Sequence, residues 1–116
     1  MTSFFVDTSA LAKRYVVEIG SAWVRSWIDP RAGNVVLISA LATVEMLSLL
    51  ERRKREGTMA AQAVALLESD FQSHVDFQYL VNPVDAAVLD QARQLIRNHQ
   101  LRTLDAVQLV ASRQVV

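Results

Sequence analysis

Two kinds of apolar pattern alternate along this chain. Short unbroken runs, Phe4-Phe5-Val6 and Val35-Val36-Leu37-Ile38, show no alternation with polar positions. A strand reads this way when both of its faces are covered. Longer stretches between them carry apolar residues three and four apart, the spacing of a helix with one buried face. The pattern predicts a strand over 3–7 and a helix over 8–17 with Leu11, Tyr15 and Val16 inward. A second short helix follows from Ala22 to Asp29, with Trp23, Trp27 and Ile28 inward and Ser21 as its cap. Pro30 and Gly33-Asn34 form a turn before the second strand, 35–38.

Ser39 predicts the cap of a long helix to about Glu56, which Gly57 ends. Thr58 predicts the cap of a helix over 59–73. Val75 to Val81 alternates in part and reads as a third strand. Asn82-Pro83 opens a helix to about Asn98, with Asp85 completing its cap. Thr103 caps a last helix, Leu104 to about Gln114. Strands alternating with helices predict right-handed crossovers and a parallel sheet, an α/β fold. A length of 116 residues indicates one domain, 1–116, long enough to bury a core without disulfides. Three strands make a small sheet, and the chain stops at Val115-Val116 as an apolar pair appears. The expectation is a domain lacking its last strand.

Composition narrows the chemistry. Hydrophobic residues make up 52% and charged residues 21%, the balance of a folded globular protein. No cysteine is present, which excludes disulfides and thiolate zinc sites. Twelve basic and twelve acidic residues cancel, so nucleic acid is not gripped by bulk charge. Any such contact must come from a local patch or a bound metal. There is no signal peptide and no apolar run long enough to span a bilayer, so a cytoplasmic protein is expected.

The carboxylates change the picture most. Asp7 follows the first strand, and open α/β sheets gather ligands outside the carboxyl ends of their strands. It becomes a site residue if that strand is central; it also suits the cap of the helix at Thr8. Glu45 is the only charge between Ala40 and Leu50, a stretch apolar almost all round and expected to be largely buried. A carboxylate so placed is costly unless paired, protonated or metal-bound; the alternative is helix surface at a groove edge. Asp105 falls in the first turn of the last helix, where it either suits the helix dipole or faces the same place as Asp7.

Three such carboxylates suit a hard cation, Mg²⁺ or Mn²⁺, which activates water and holds a phosphodiester for attack. Ser9 can hydrogen-bond a ligating carboxylate or a metal-bound water, or be an ordinary first-turn residue. Arg102, three residues before Asp105, is placed for a scissile phosphate. Arg52-Arg53-Lys54-Arg55 matches the negative end of its helix, or forms a patch for phosphate or an acidic partner. His74 and His99 are isolated from each other and near element ends and read as surface or capping residues, and Tyr15, Trp23 and Trp27 as core. Without a cysteine or a histidine pair, a nucleophilic triad has no support.

Three segments carry a family resemblance. The first is Phe5-Val6-Asp7-Thr8-Ser9-Ala10-Leu11, continuing through Lys13 and Tyr15 to Glu18-Ile19-Gly20-Ser21. The second is Ser39-Ala40-Leu41 leading to Glu45, and the third is Leu101-Arg102-Thr103-Leu104-Asp105-Ala106-Val107-Gln108-Leu109. In this order, over nearly the whole chain, they resemble the PIN-domain family and, within it, the VapC-type ribonuclease toxins of bacterial type II toxin–antitoxin systems. The resemblance implies a three-layer α/β/α fold, a parallel sheet flanked by helices, with an acidic pocket. The family's first three acidic positions fall on Asp7, Glu45 and Asp105. Also implied are Mg²⁺- or Mn²⁺-dependent cleavage of RNA, homodimerisation, and inhibition by a cognate antitoxin. Such an antitoxin docks a C-terminal segment near the pocket and binds DNA through its N-terminal part.

The sequence departs from the family after the third acid. Members continue into another strand, a further acid and a final helix, and the fourth acid has no counterpart assigned here. The leading reading is a metal-dependent endoribonuclease toxin. The alternative is a truncated, non-catalytic PIN-fold protein acting through antitoxin or RNA binding, which the missing fourth acid favours. A signalling receiver domain needs an acid after a central strand, whereas the second and third strands end in Ile38-Ser39 and Val81-Asn82.

Overall fold

The apolar runs become strands and the periodic stretches helices in the computed structural model, which describes residues 2–99, 106, 107, 109 and 110. The order is β1 (Ser3–Phe5), α1 (Thr8–Tyr15), α2 (Ser21–Ile28), a 3-10 turn at Pro30–Ala32, β2 (Val35–Ser39), α3 (Ala40–Arg55), α4 (Ala61–Phe77), β3 (Leu80–Asn82) and α5 (Ala86–His99). Ala106, Val107, Leu109 and Val110 are also helical. The strands are parallel in the order β1-β2-β3, with Phe5 opposite Leu37 and Ser39 opposite Asn82. Helices cover the sheet, giving the expected α/β/α arrangement. β2, not β1, is the central strand among the described residues, so Asp7 leaves an edge strand. Val6 stays attached, its N–H donating to Leu37 O at 2.9 Å.

The core forms where α1, α2 and α3 lay their apolar stripes on the sheet. Leu11, Val24, Ile38 and Met46 are fully buried within it. A second cluster joins Val88, Ala92 and Leu95 of α5 to Ala106, Val107 and Val110, with Leu41 of α3 packed against it.

Four expectations are corrected. α3 is not buried all round: Ala42, Met46 and Leu50 face inward, but Val44 is 63% and Leu47 49% exposed. Val75, Asp76 and Phe77 continue α4, and only Leu80–Asn82 pairs as a strand. The helical reading wins there because Val75 sits one turn after the buried Phe71 and packs on the same core, while Phe77 is 88% exposed. Thr58 does not cap α4. Its hydroxyl donates to Arg53 O at 3.1 Å, closing α3, and α4 starts at Ala60 with no side-chain cap. Trp23 is 66% exposed, whereas Trp27 stacks on Phe4 with ring centroids 4.5 Å apart.

The far end of α1 is fixed by a chain of polar side chains. Arg14 Nη1 donates to Tyr79 Oη at 2.7 Å and to Gln78 Oε1 at 2.8 Å. The Tyr15 and Tyr79 hydroxyls are 2.5 Å apart, and Tyr15 Oη lies 2.7 Å from His74 Nδ1. Arg14 can only donate, so Tyr79 Oη accepts from it, and the two hydroxyl protons together with the imidazole tautomer set the remaining directions. Burial pushes the Tyr15 phenol well above its usual range, with Tyr79 adding to it. His74, expected as a surface or capping residue, is instead part of this internal polar chain.

Burial pushes the His74 pKa below its ordinary 6.5; the Arg14 charge adds to this and Asp70 opposes it. The folded state thus binds this proton less tightly than the unfolded chain. The stabilisation is complete above the ordinary value and is lost as pH falls below it. Melting temperature followed from pH 8 to pH 5 is expected to decline more steeply in the parent chain than in His74→Gln. Parallel profiles would exclude the imidazole as the cause.

Candidate active site

Two residues past β1 the backbone is still extended at Asp7, with φ −76° and ψ 167°, and the chain turns directly into α1. Asp7 is the N-cap of that helix. Its Oδ1 accepts from the Ala10 N–H at 2.9 Å and from Ser9 Oγ at 3.1 Å. Both bonds fall on one oxygen. Oδ2 accepts none among the described residues, and the side chain is exposed. The cap role and a ligand role are therefore compatible: one oxygen holds the helix and the other faces outward.

β2 ends in the fully buried Ser39, whose Oγ accepts from Leu41 N–H at 3.2 Å and starts α3. Glu45 lies just over one turn along α3 and is half-buried. Its Oε1 accepts from Thr8 Oγ1 at 2.9 Å, a bond spanning 37 residues. Thr8 is the residue next to Asp7, so this bond brings the second acid to the helix start that holds the first. Sequence reasoning missed the role of Thr8. The available signal was a hydroxyl at the first helical position, directly after the acid.

Asp7 sits on the wall of a cavity of about 400 Å³, lined also by Phe4, Phe5, Ala10, Trp23 and Leu109. Leu109 belongs to the helical residues after Asp105. Ala106, the residue following Asp105, is fully buried in the cluster that includes Leu41, one turn before Glu45. Asp105 and Arg102 themselves lie outside the described residues.

A divalent cation can be weighed against the donors present. Asp7 and Glu45 offer only carboxylate oxygens, one of them exposed and without a hydrogen bond among the described residues. Mg²⁺ is commonly held by one or two carboxylates together with substrate phosphate, so this donor chemistry fits. Among the described residues no group of three or more acids and histidines forms a closed metal cage.

The PIN-domain family model matches residues 4–115, nearly the whole chain. The chain belongs to the PIN-domain family. No curated protein matches it. Among solved structures, this PIN domain is similar to the crystal structure of Mycobacterium tuberculosis VapC20, described as a sarcin-ricin-loop-cleaving toxin. The TM-score is 0.72 at 21% identity, covering 98% of this chain and 82% of that one. The likeness is one of fold. No helix among the described residues is long and apolar enough to cross a membrane.

Proposed function

We propose that this PIN domain is a metal-dependent endoribonuclease, the VapC-type toxin of a type II toxin–antitoxin pair. The observation that carries the reading is the Thr8–Glu45 hydrogen bond beside Asp7, which supports two carboxylates held together at the ends of adjacent parallel strands. Asp7 and Glu45, with Asp105 as third acid, would hold Mg²⁺ or Mn²⁺. The cation, when bound, supplies the charge that acidifies water and neutralises the phosphodiester. Asp7 Oδ2 offers the open oxygen, Ser9 and the Ala10 amide orient the carboxyl group, and Thr8 orients that of Glu45. Arg102 would contact the scissile phosphate. The toxin reading also brings homodimerisation, a cognate antitoxin and a cytoplasmic setting.

Incubation with a structured RNA tests this. Fragments are expected in millimolar Mg²⁺ or Mn²⁺ and none after addition of a chelator. RNA left intact in both cations would favour the non-catalytic alternative, a PIN-fold protein that acts by binding antitoxin or RNA.

A further inference from the structure

Four consecutive basic residues close α3; Lys54 is ion-paired, whereas Arg52, Arg53 and Arg55 make no ion pair among the described residues, and the first two of these line one cavity. Cations near a helix C-terminus are generally favoured by its dipole and its free carbonyls. Here those carbonyls are already taken. Arg52 O accepts from Glu56 N–H at 2.9 Å, Arg53 O from Thr58 N–H at 3.0 Å, and Lys54 O from Gly57 N–H at 3.2 Å. Gly57 adopts φ 73°, the left-handed conformation that ends helices. Lys54 is committed to Glu51 at 2.7 Å. Arg52 is exposed and Arg53 half-buried, and neither makes an ion pair among the described residues.

These two guanidinium groups share a cavity of about 340 Å³ with Leu49, Glu56 and Thr58. Glu56 is the one carboxylate in that lining, so the lining keeps a net positive charge. Helix geometry then relates the cavity to the acidic site. Arg52 follows Glu45 by seven residues, which places it within about 20° of the same direction and about 10 Å further along the axis. Leu49 lies between them, one turn from each. The Glu45 side of α3 therefore presents a carboxylate, an apolar step and a guanidinium in line.

A single nucleic-acid strand can follow that line, because its backbone carries one phosphate per nucleotide and several nucleotides track a basic groove. A phosphate at Arg52 is then a few nucleotides at most from one at Glu45. The planar fork of arginine suits phosphate oxygens. We propose that Arg52 and Arg53 form a phosphate subsite for single-stranded RNA whose scissile phosphate lies at the Asp7–Glu45 site; this rests on the ribonuclease reading above. An acidic protein segment fits the charge but not the alignment with Glu45.

Binding of a fluorescent single-stranded RNA of about ten nucleotides, within the usual range of single-strand site sizes, tests the subsite. The protein is the full chain carrying Asp7→Asn, titrated at several salt concentrations. Adding Arg52→Gln and Arg53→Gln is expected to raise Kd roughly tenfold and to flatten the slope of log K against log salt by about 1.4. Arg31→Gln removes one charge just before β2, at the end of the sheet opposite the acids, and is expected to change neither quantity. A poly-glutamate peptide is expected not to displace the RNA.

Unchanged affinity and slope in the double variant overturn the subsite. So does a loss per removed charge in Arg31→Gln equal to that of the double variant, which would mean bulk charge alone. Binding of the peptide that is lost in the double variant, with RNA binding untouched by it, would assign the patch to an acidic protein instead. These readouts need no cleavage, so failure of the ribonuclease reading is recognised separately, by the chelator experiment.

Discussion

Asp7→Asn is expected to lower RNA cleavage by roughly 10²–10³-fold, the scale on which a single group stabilising charge in a transition state acts. The melting temperature should stay nearly unchanged. Asparagine and aspartate are about equally good N-caps, so the Ala10 and Ser9 contacts survive the substitution. Only the charge is lost. Asp7→Ala removes the cap as well and should cost about 1 kcal/mol of stability in addition. Gel-based cleavage assays and thermal melts on the two variants separate the roles. Undiminished cleavage by the asparagine variant would sink the assignment of Asp7 to the chemistry.

Leu11→Ala is expected to have the largest effect on stability. Leu11 is fully buried on the inner face of α1, between the sheet and α3. Truncation removes apolar contact and leaves a cavity that the surrounding strands cannot collapse to fill. Such changes cost about 2–5 kcal/mol. In a domain of this size that corresponds to a fall in melting temperature on the order of 10 °C. A fall of only a degree or two in thermal or urea unfolding would mean that the core around α1 closes over the gap. RNA cleavage should decline with the folded fraction, since α1 carries both Asp7 and Thr8.

Much of this architecture was legible in the chain because its strongest signals are local. The unbroken run from Val35 to Ile38 gave β2, and Ser39 marked the start of α3. Asp7 and Glu45 stand out as candidates because one follows a strand and the other interrupts an apolar stretch. What failed was longer in range. Thr8 and Glu45 are 37 residues apart, and no periodicity within either helix reports their bond. His74 read as a surface or capping residue because its partner Tyr15 lies 59 residues away. The segment from Phe71 to Val81 satisfies two periods at once. Val75, Phe77, Tyr79 and Val81 alternate, while Phe71 and Val75 are one helical turn apart. Packing of the second pair on the core decided it. Glu45 was placed correctly on its helix, but its neighbours Val44 and Leu47 are exposed because α3 contacts the core along one stripe only.

The way α1 is held has a mechanical consequence. It is a short helix, about 12 Å from end to end, and it is pinned at both ends. Its start is fixed by Asp7 Oδ1 and by Thr8 reaching to Glu45. Its finish is fixed by Arg14 and Tyr15 reaching to Tyr79 and His74. A lever clamped at both tips cannot swing about either one. If Asp7 and Glu45 form the proposed site, the two carboxylates are set before RNA arrives, and little of the binding energy is spent on assembling them. Tightening or loosening the distant tyrosine clamp becomes a way to tune the acidic site without touching a residue in it.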